Sequence, residues 1–62
     1  MITERQEQIL ALASDGYTTT RIARELGCST RLVKLDLQQF MAQYGLLSRT
    51  HAVAVAIRSG WI

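Results

Sequence analysis

The sequence predicts an all-α domain of four helices, and three observations carry that prediction. Apolar residues recur at helical spacing in four separate stretches. A serine or threonine stands before each stretch, and a glycine follows each one, at 16, 27, 45 and 60. Proline is absent, so no stretch is broken from within.

The first helix is expected over about residues 4–14. Thr3 caps it, and Gln6 three residues on completes a capping box, in which each side chain answers the other residue's backbone N–H. Ile9, Leu10 and Ala13 share its inward side. The second helix, about 19–26, opens after Thr18 or Thr19 and turns Ile22, Ala23 and Leu26 inward.

The third, about 30–44, is capped by Ser29. At about 100° per residue, Val33, Leu37, Phe40, Met41 and Tyr44 form one stripe. Arg31, Leu35, Gln38, Gln39 and Ala42 face the other way, with Lys34 on the shoulder. Leu35 lies about 200° from Val33, nearly opposite the core. Leu32 is intermediate and is placed to pack beneath the second helix.

The fourth, about 49–58, follows Ser48. Its period alone is ambiguous, because Val53, Val55 and Ile57 alternate as in a strand. A single strand without a partner has no independent stability, so a helix is the expectation. That helix is apolar all round from Ala52 to Ile57. Such a helix needs cover on two sides, unless its small side chains stay partly exposed. The same helix of a second copy would supply the outer cover in a symmetric homodimer, with Ala52, Val55 and Ala56 as the candidate contacts.

Size and composition narrow the function classes. With 62 residues the chain is expected to form one domain, 1–62, whose small core supplies roughly 3–5 kcal/mol. Oligomerisation or close helix packing then helps. Cys28 is the only cysteine and His51 the only histidine, so neither a disulfide framework nor a zinc site can be assembled. Cys28 reads as a small packed residue of the turn, and His51 as structural. No carboxylate cluster, nucleophile–base pair or phosphate loop is present, so neither catalysis nor a cofactor is expected. The amino terminus, MITERQEQIL, is no signal-peptide core, and no apolar run is long enough to span a bilayer. A reducing, cytoplasmic setting is the expectation, with no membrane partner.

The net charge of +2 is unevenly placed. Residues 1–20 set Arg5 against Glu4, Glu7 and Asp15, whereas residues 21–62 set Arg21, Arg24, Arg31, Lys34, Arg49 and Arg58 against only Glu25 and Asp36. A basic surface confined to one part of a small domain suits a polyanion, although solvated helices often look the same.

Gly27, Cys28 and Ser29 join the second and third helices by a turn of the length and glycine content of a helix-turn-helix. Small Ala23 lets the two helices approach, and Ile22, Leu26 and Val33 lock them. In that motif the second helix enters the major groove of DNA. The stretches ITERQEQILALASDGYTTTRIARELG, STRLVK and YGLLSRTHAVAVAIRSGWI follow in order over nearly the whole chain, and with them it resembles the LuxR/GerE-type DNA-binding domain. The fourth helix, with its SRT-x-AV start, separates it from the otherwise similar sigma-factor region.

The resemblance implies a transcriptional regulator that reads double-stranded DNA as a homodimer. By position it implies base contacts from Lys34, Leu35 and Gln38, to guanine, a thymine methyl and adenine respectively. It implies phosphate contacts from Thr20, Ser29, Thr30, Arg31 and Arg49. The chain departs from the family pattern where acids would stand at Gln6, Gln8 and Arg21, a threonine at Leu32, a polar residue at Leu35 and a histidine at Asp36. Asp36, in the middle of the reading helix, is expected to pair with Arg21 or Arg24. An alternative keeps the helix-turn-helix but makes Leu35 and Leu32 a protein-binding face for RNA polymerase or another regulator. Met1 directly precedes the first helix and the chain stops just after the fourth, so a free-standing regulator without a sensor domain is the expectation.

Overall fold

The computed structural model describes residues 2–62; Met1, and with it the expectation built on that residue, lies outside them. The described residues form four helices and no strand: α1 (Glu4–Ser14), α2 (Thr19–Leu26), α3 (Thr30–Tyr44) and α4 (Arg49–Arg58).

Each helix begins where a hydroxyl replaces a missing intrahelical acceptor. The Thr3 hydroxyl accepts from the Gln6 N–H at 3.0 Å, and the Gln6 side chain accepts from the Thr3 N–H at 3.1 Å. Thr18, rather than Thr19, caps α2 by accepting from the Arg21 N–H at 3.2 Å. Ser29 does the same for α3 and Ser48 for α4. α2 and α3 end at Gly27 and Gly45, whose φ of +68° and +65° are left-handed values that a Cβ would strain.

The interior divides into two adjoining clusters. Ile9, Ile22, Ala23 and Val33 close the space between α1, α2 and α3, with Leu12, Leu26, Tyr17 and Cys28 packed around them. Leu10, Phe40, Ala52 and Ala56 join α1, α3 and α4. Leu37 touches both clusters. The second is closed by rings: Phe40 stands 5.9 Å from Trp61 edge-on, and Tyr44 lies 5.1 Å from Phe40 and 5.0 Å from Trp61. Aromatic rings at such offsets attract beyond their area burial.

Two expectations are corrected. Ala52 and Ala56 are fully buried in the second cluster, at 0% exposure, so they cannot reach a second molecule. Their small size lets α4 approach α1 and α3 closely. The outward side of α4, opposite these alanines, carries Thr50, Ala54, Ile57 and Arg58, with Ile57 54% exposed and Val55 half-buried on the flank. Asp36 does not pair with Arg21 or Arg24. It is 5% exposed and turns toward α1, where its carboxylate accepts from Arg5 Nε at 2.6 Å and Gln6 Nε2 at 3.3 Å. The reason is rotational: Asp36 lies on the edge of α3 that meets α1, not on the edge that meets α2. Arg21 instead sets its guanidinium over the Tyr17 ring, 4.5 Å from its centre.

Candidate nucleic-acid interface

The α2–turn–α3 unit is fixed at its bend by backbone bonds from Gly27 N to Arg24 O and from Cys28 N to Ala23 O, at 3.3 and 2.9 Å. Ile22, Ala23 and Val33 are buried between the two helices. α3 therefore cannot rotate about its axis without breaking the core, and the face it turns outward is set.

That face is open. Arg31, Lys34, Leu35, Gln38, Gln39 and Ala42 are all exposed, and Leu35 stands 44% exposed in the midst of them. Lys34, Leu35 and Gln38 thus lie together on the free side of α3: an ammonium, an isobutyl group and an amide within about one helical turn. Chemically this set offers a point donor, an apolar contact and a paired donor–acceptor.

Around it lie the hydroxyls and cations expected at the rim. Thr20, Ser29 and Arg31 are exposed, and Thr30 is half-buried in the first turn of α3. The amino terminus of α3 presents unpaired N–H groups beside them, an arrangement that favours anions. Arg49 differs from the rest. It is half-buried, and its guanidinium donates from Nη1 to Thr19 Oγ1 at 3.0 Å and from Nη2 to the Tyr17 carbonyl. Two of its donors therefore tie the start of α4 to Tyr17 in the α1–α2 connection and to Thr19 at the start of α2, a fold-holding role that the sequence did not announce. His51 also works within the fold, its Nδ1 accepting from the Leu47 N–H at 3.3 Å.

Sequence reasoning missed the meeting of Arg5 and Gln6 with Asp36, which the fold makes at the flank of α3. The angle of Asp36 puts it on a flank of α3, which the sequence alone assigns to the side of α2, whereas its partners stand on α1, 31 and 30 residues away. Among the described residues, no group of histidine, cysteine or carboxylate side chains is placed to hold a metal ion. No helix among them is long and apolar enough to cross a membrane.

Comparison with known proteins agrees with this arrangement. The chain is 31% identical over its whole length to the transcriptional regulatory protein DegU of Brevibacillus brevis, and 34% identical to the transcriptional activator protein LuxR of Aliivibrio fischeri. It is 36% identical over 59 residues to the transcriptional activator protein AhyR of Aeromonas hydrophila. It spans only about a quarter of the length of these relatives, 26%, 25% and 23% respectively. The family model described as bacterial regulatory proteins, luxR family, matches residues 1–56. With four helices, a locked helix-turn-helix and this match over nearly its whole length, the chain belongs to the luxR family of bacterial regulatory proteins.

Proposed function

We propose that the chain is a sequence-specific DNA-binding transcriptional regulator that places α3 in the major groove. The observation that carries this reading is the free face of α3, where Lys34, Leu35 and Gln38 stand exposed together while the opposite face is held in the core. Lys34 donates to guanine N7 or O6, Gln38 pairs with the N6/N7 edge of adenine, and Leu35 packs on a thymine methyl. Thr20, Ser29, Thr30 and Arg31 hold the phosphates on either side.

On DNA the protein is a homodimer through the outward side of α4, so that two copies of α3 enter successive major grooves about 10 bp apart. Ala54, Ile57 and Val55 replace the buried alanines as its contacts. A charge there, as in Ile57→Glu, leaves the half-exposed site folded and yields monomers by sedimentation. An unchanged dimer would contradict this part of the reading.

A protein-docking role for α3 has one observation in its favour, the exposed Leu35. Its neighbours Lys34, Gln38 and Gln39 are polar, so the apolar spot is smaller than the patches that anchor protein partners. Polar groups interleaved with one leucine fit base edges better.

The test is fluorescence anisotropy on a pool of random and genomic duplexes at 50 and 200 mM salt. Binding is expected to be sequence-selective and to weaken steeply with salt, by about 0.9 in log–log slope for each phosphate neutralised. No binding at the lower salt would overturn the reading and bring the protein-docking role forward.

A further inference from the structure

A carboxylate in the middle of a DNA-reading helix is an electrostatic anomaly, because Asp36 follows Leu35 directly and would repel the phosphate walls of the groove. The structure resolves it through an asymmetry of burial. The Asp36 side chain is 6% exposed, whereas that of its partner Arg5 is 50% exposed. The negative end of the pair therefore points into the domain and the positive end into solvent, beside the reading face. Gln6 occupies the second carboxylate oxygen, so the acid is satisfied from within. Arg5 hydrogen-bonds Asp36 through Nε alone, at 2.6 Å, and among the described residues no hydrogen bond takes up its two Nη groups.

With α3 seated in the major groove, the dimensions would bring this cation to the groove wall. The major groove is about 12 Å wide and a helix with its side chains measures about 10–12 Å across. A helix seated there fills the groove from side to side, and a guanidinium hydrogen-bonded to the flank of that helix meets the sugar–phosphate backbone.

We propose that Arg5, on α1, is a DNA-phosphate contact flanking the reading helix, and that Asp36 is the residue that positions it. This rests on the DNA-reading function proposed above. A guanidinium whose Nε is fixed presents its Nη donors in a set plane, and phosphate is a ligand that this fork geometry matches. Arg5 then contributes affinity without sequence preference, and Asp36 contributes through Arg5 alone.

The experiment compares wild type, Arg5→Gln and the double variant Arg5→Gln/Asp36→Asn on a selected operator and on random duplex, between 50 and 200 mM salt. The double variant removes both charges at once and so leaves no unpaired buried carboxylate, which keeps the test informative if Arg5→Gln alone fails to fold. Folding is checked by circular dichroism melts. Expected is a several-fold loss of affinity on both DNAs alike in the double variant, with the salt slope reduced by about 0.9 for each bound protomer. Recovery of wild-type affinity and slope by the double variant would overturn the proposal, leaving Arg5 as a counter-charge for Asp36 and nothing more. Loss confined to the operator, with the slope unchanged, would overturn it too. Failure of the wild type to bind either DNA would remove the DNA-reading function itself, an outcome distinct from the other two.

Discussion

Along α3, the stretch 31–39 turns Arg31, Lys34, Gln38, Gln39 and one leucine to solvent, whereas the stretch 40–44 fastens the same helix to α4 through Phe40 and Tyr44. Leu35 is 44% exposed and Phe40, five residues later, is 0% exposed in contact with Trp61. One helix thus carries an anchor at its end and a display surface nearer its start. The difference teaches that the display face makes little demand on stability: the helix is held from behind by Val33 and at its end by rings, so its outward side chains are free to be chosen for recognition.

The comparison can be broken at the anchor. Phe40→Ala removes the ring that joins α1, α3 and α4 and is expected to cost about 3–5 kcal/mol, most of the stability of a core this small. A urea melt checks it; a loss under about 1 kcal/mol would mean the aromatic cluster is peripheral. Next in size are Lys34→Ala and Gln38→Ala, each expected to lower affinity for the operator by roughly 1–3 kcal/mol while the melt stays unchanged. Wild-type affinity in both would remove the display surface from DNA reading. Gly27→Ala tests the bend between the halves of the helix-turn-helix. Nothing lies within 4 Å of a Cβ built there, so the expected cost of about 1 kcal/mol comes from the left-handed backbone alone. The smallest effect is expected on stability in Leu35→Ala, within about 0.5 kcal/mol, because a half-exposed side chain on the display face holds nothing together. A loss comparable to that of Phe40→Ala would erase the distinction between anchor and display.

Arg5, Gln6 and Asp36 sharpen the same contrast, since they brace the display half of α3 with polar groups where the anchor half uses apolar ones. They also account for two departures from the family pattern together. An amide at Gln6 and a carboxylate at Asp36 meet in one hydrogen bond of 3.3 Å. An acid at position 6 would set two carboxylates against each other in a buried place, a repulsion that the amide avoids.

Much of the fold was legible. Thr3, Ser29 and Ser48 read as caps because a cap needs only a hydroxyl and an N–H three residues on, both written next to each other. The core stripe of α3 followed from its period, and Val33 and Phe40 are buried as that period requires. For α4 the period was silent. When every residue from Ala52 to Ile57 is apolar, no sequence contrast says which side turns inward, and the structure chose the side bearing the two alanines. Arg49 is a phosphate-contact candidate by position, and nothing local announces that its guanidinium also donates to a threonine hydroxyl and a main-chain carbonyl 30 and 32 residues away.

The sequence by itself determined four helices, their starts and stops, the locked helix-turn-helix and the outward set of Lys34, Leu35 and Gln38. The helices and their outward sets rest on interactions between residues three or four apart, and the helix-turn-helix on a short turn between two neighbouring helices, all of which the order of the chain contains. Only the tertiary structure decided that Asp36 belongs to Arg5 and Gln6, that Arg49 holds Tyr17 and Thr19, and that Ala52 and Ala56 seal the core. Each of those depends on how helices far apart in sequence are rotated against one another, and that rotation is a compromise of the whole core which no local pattern records.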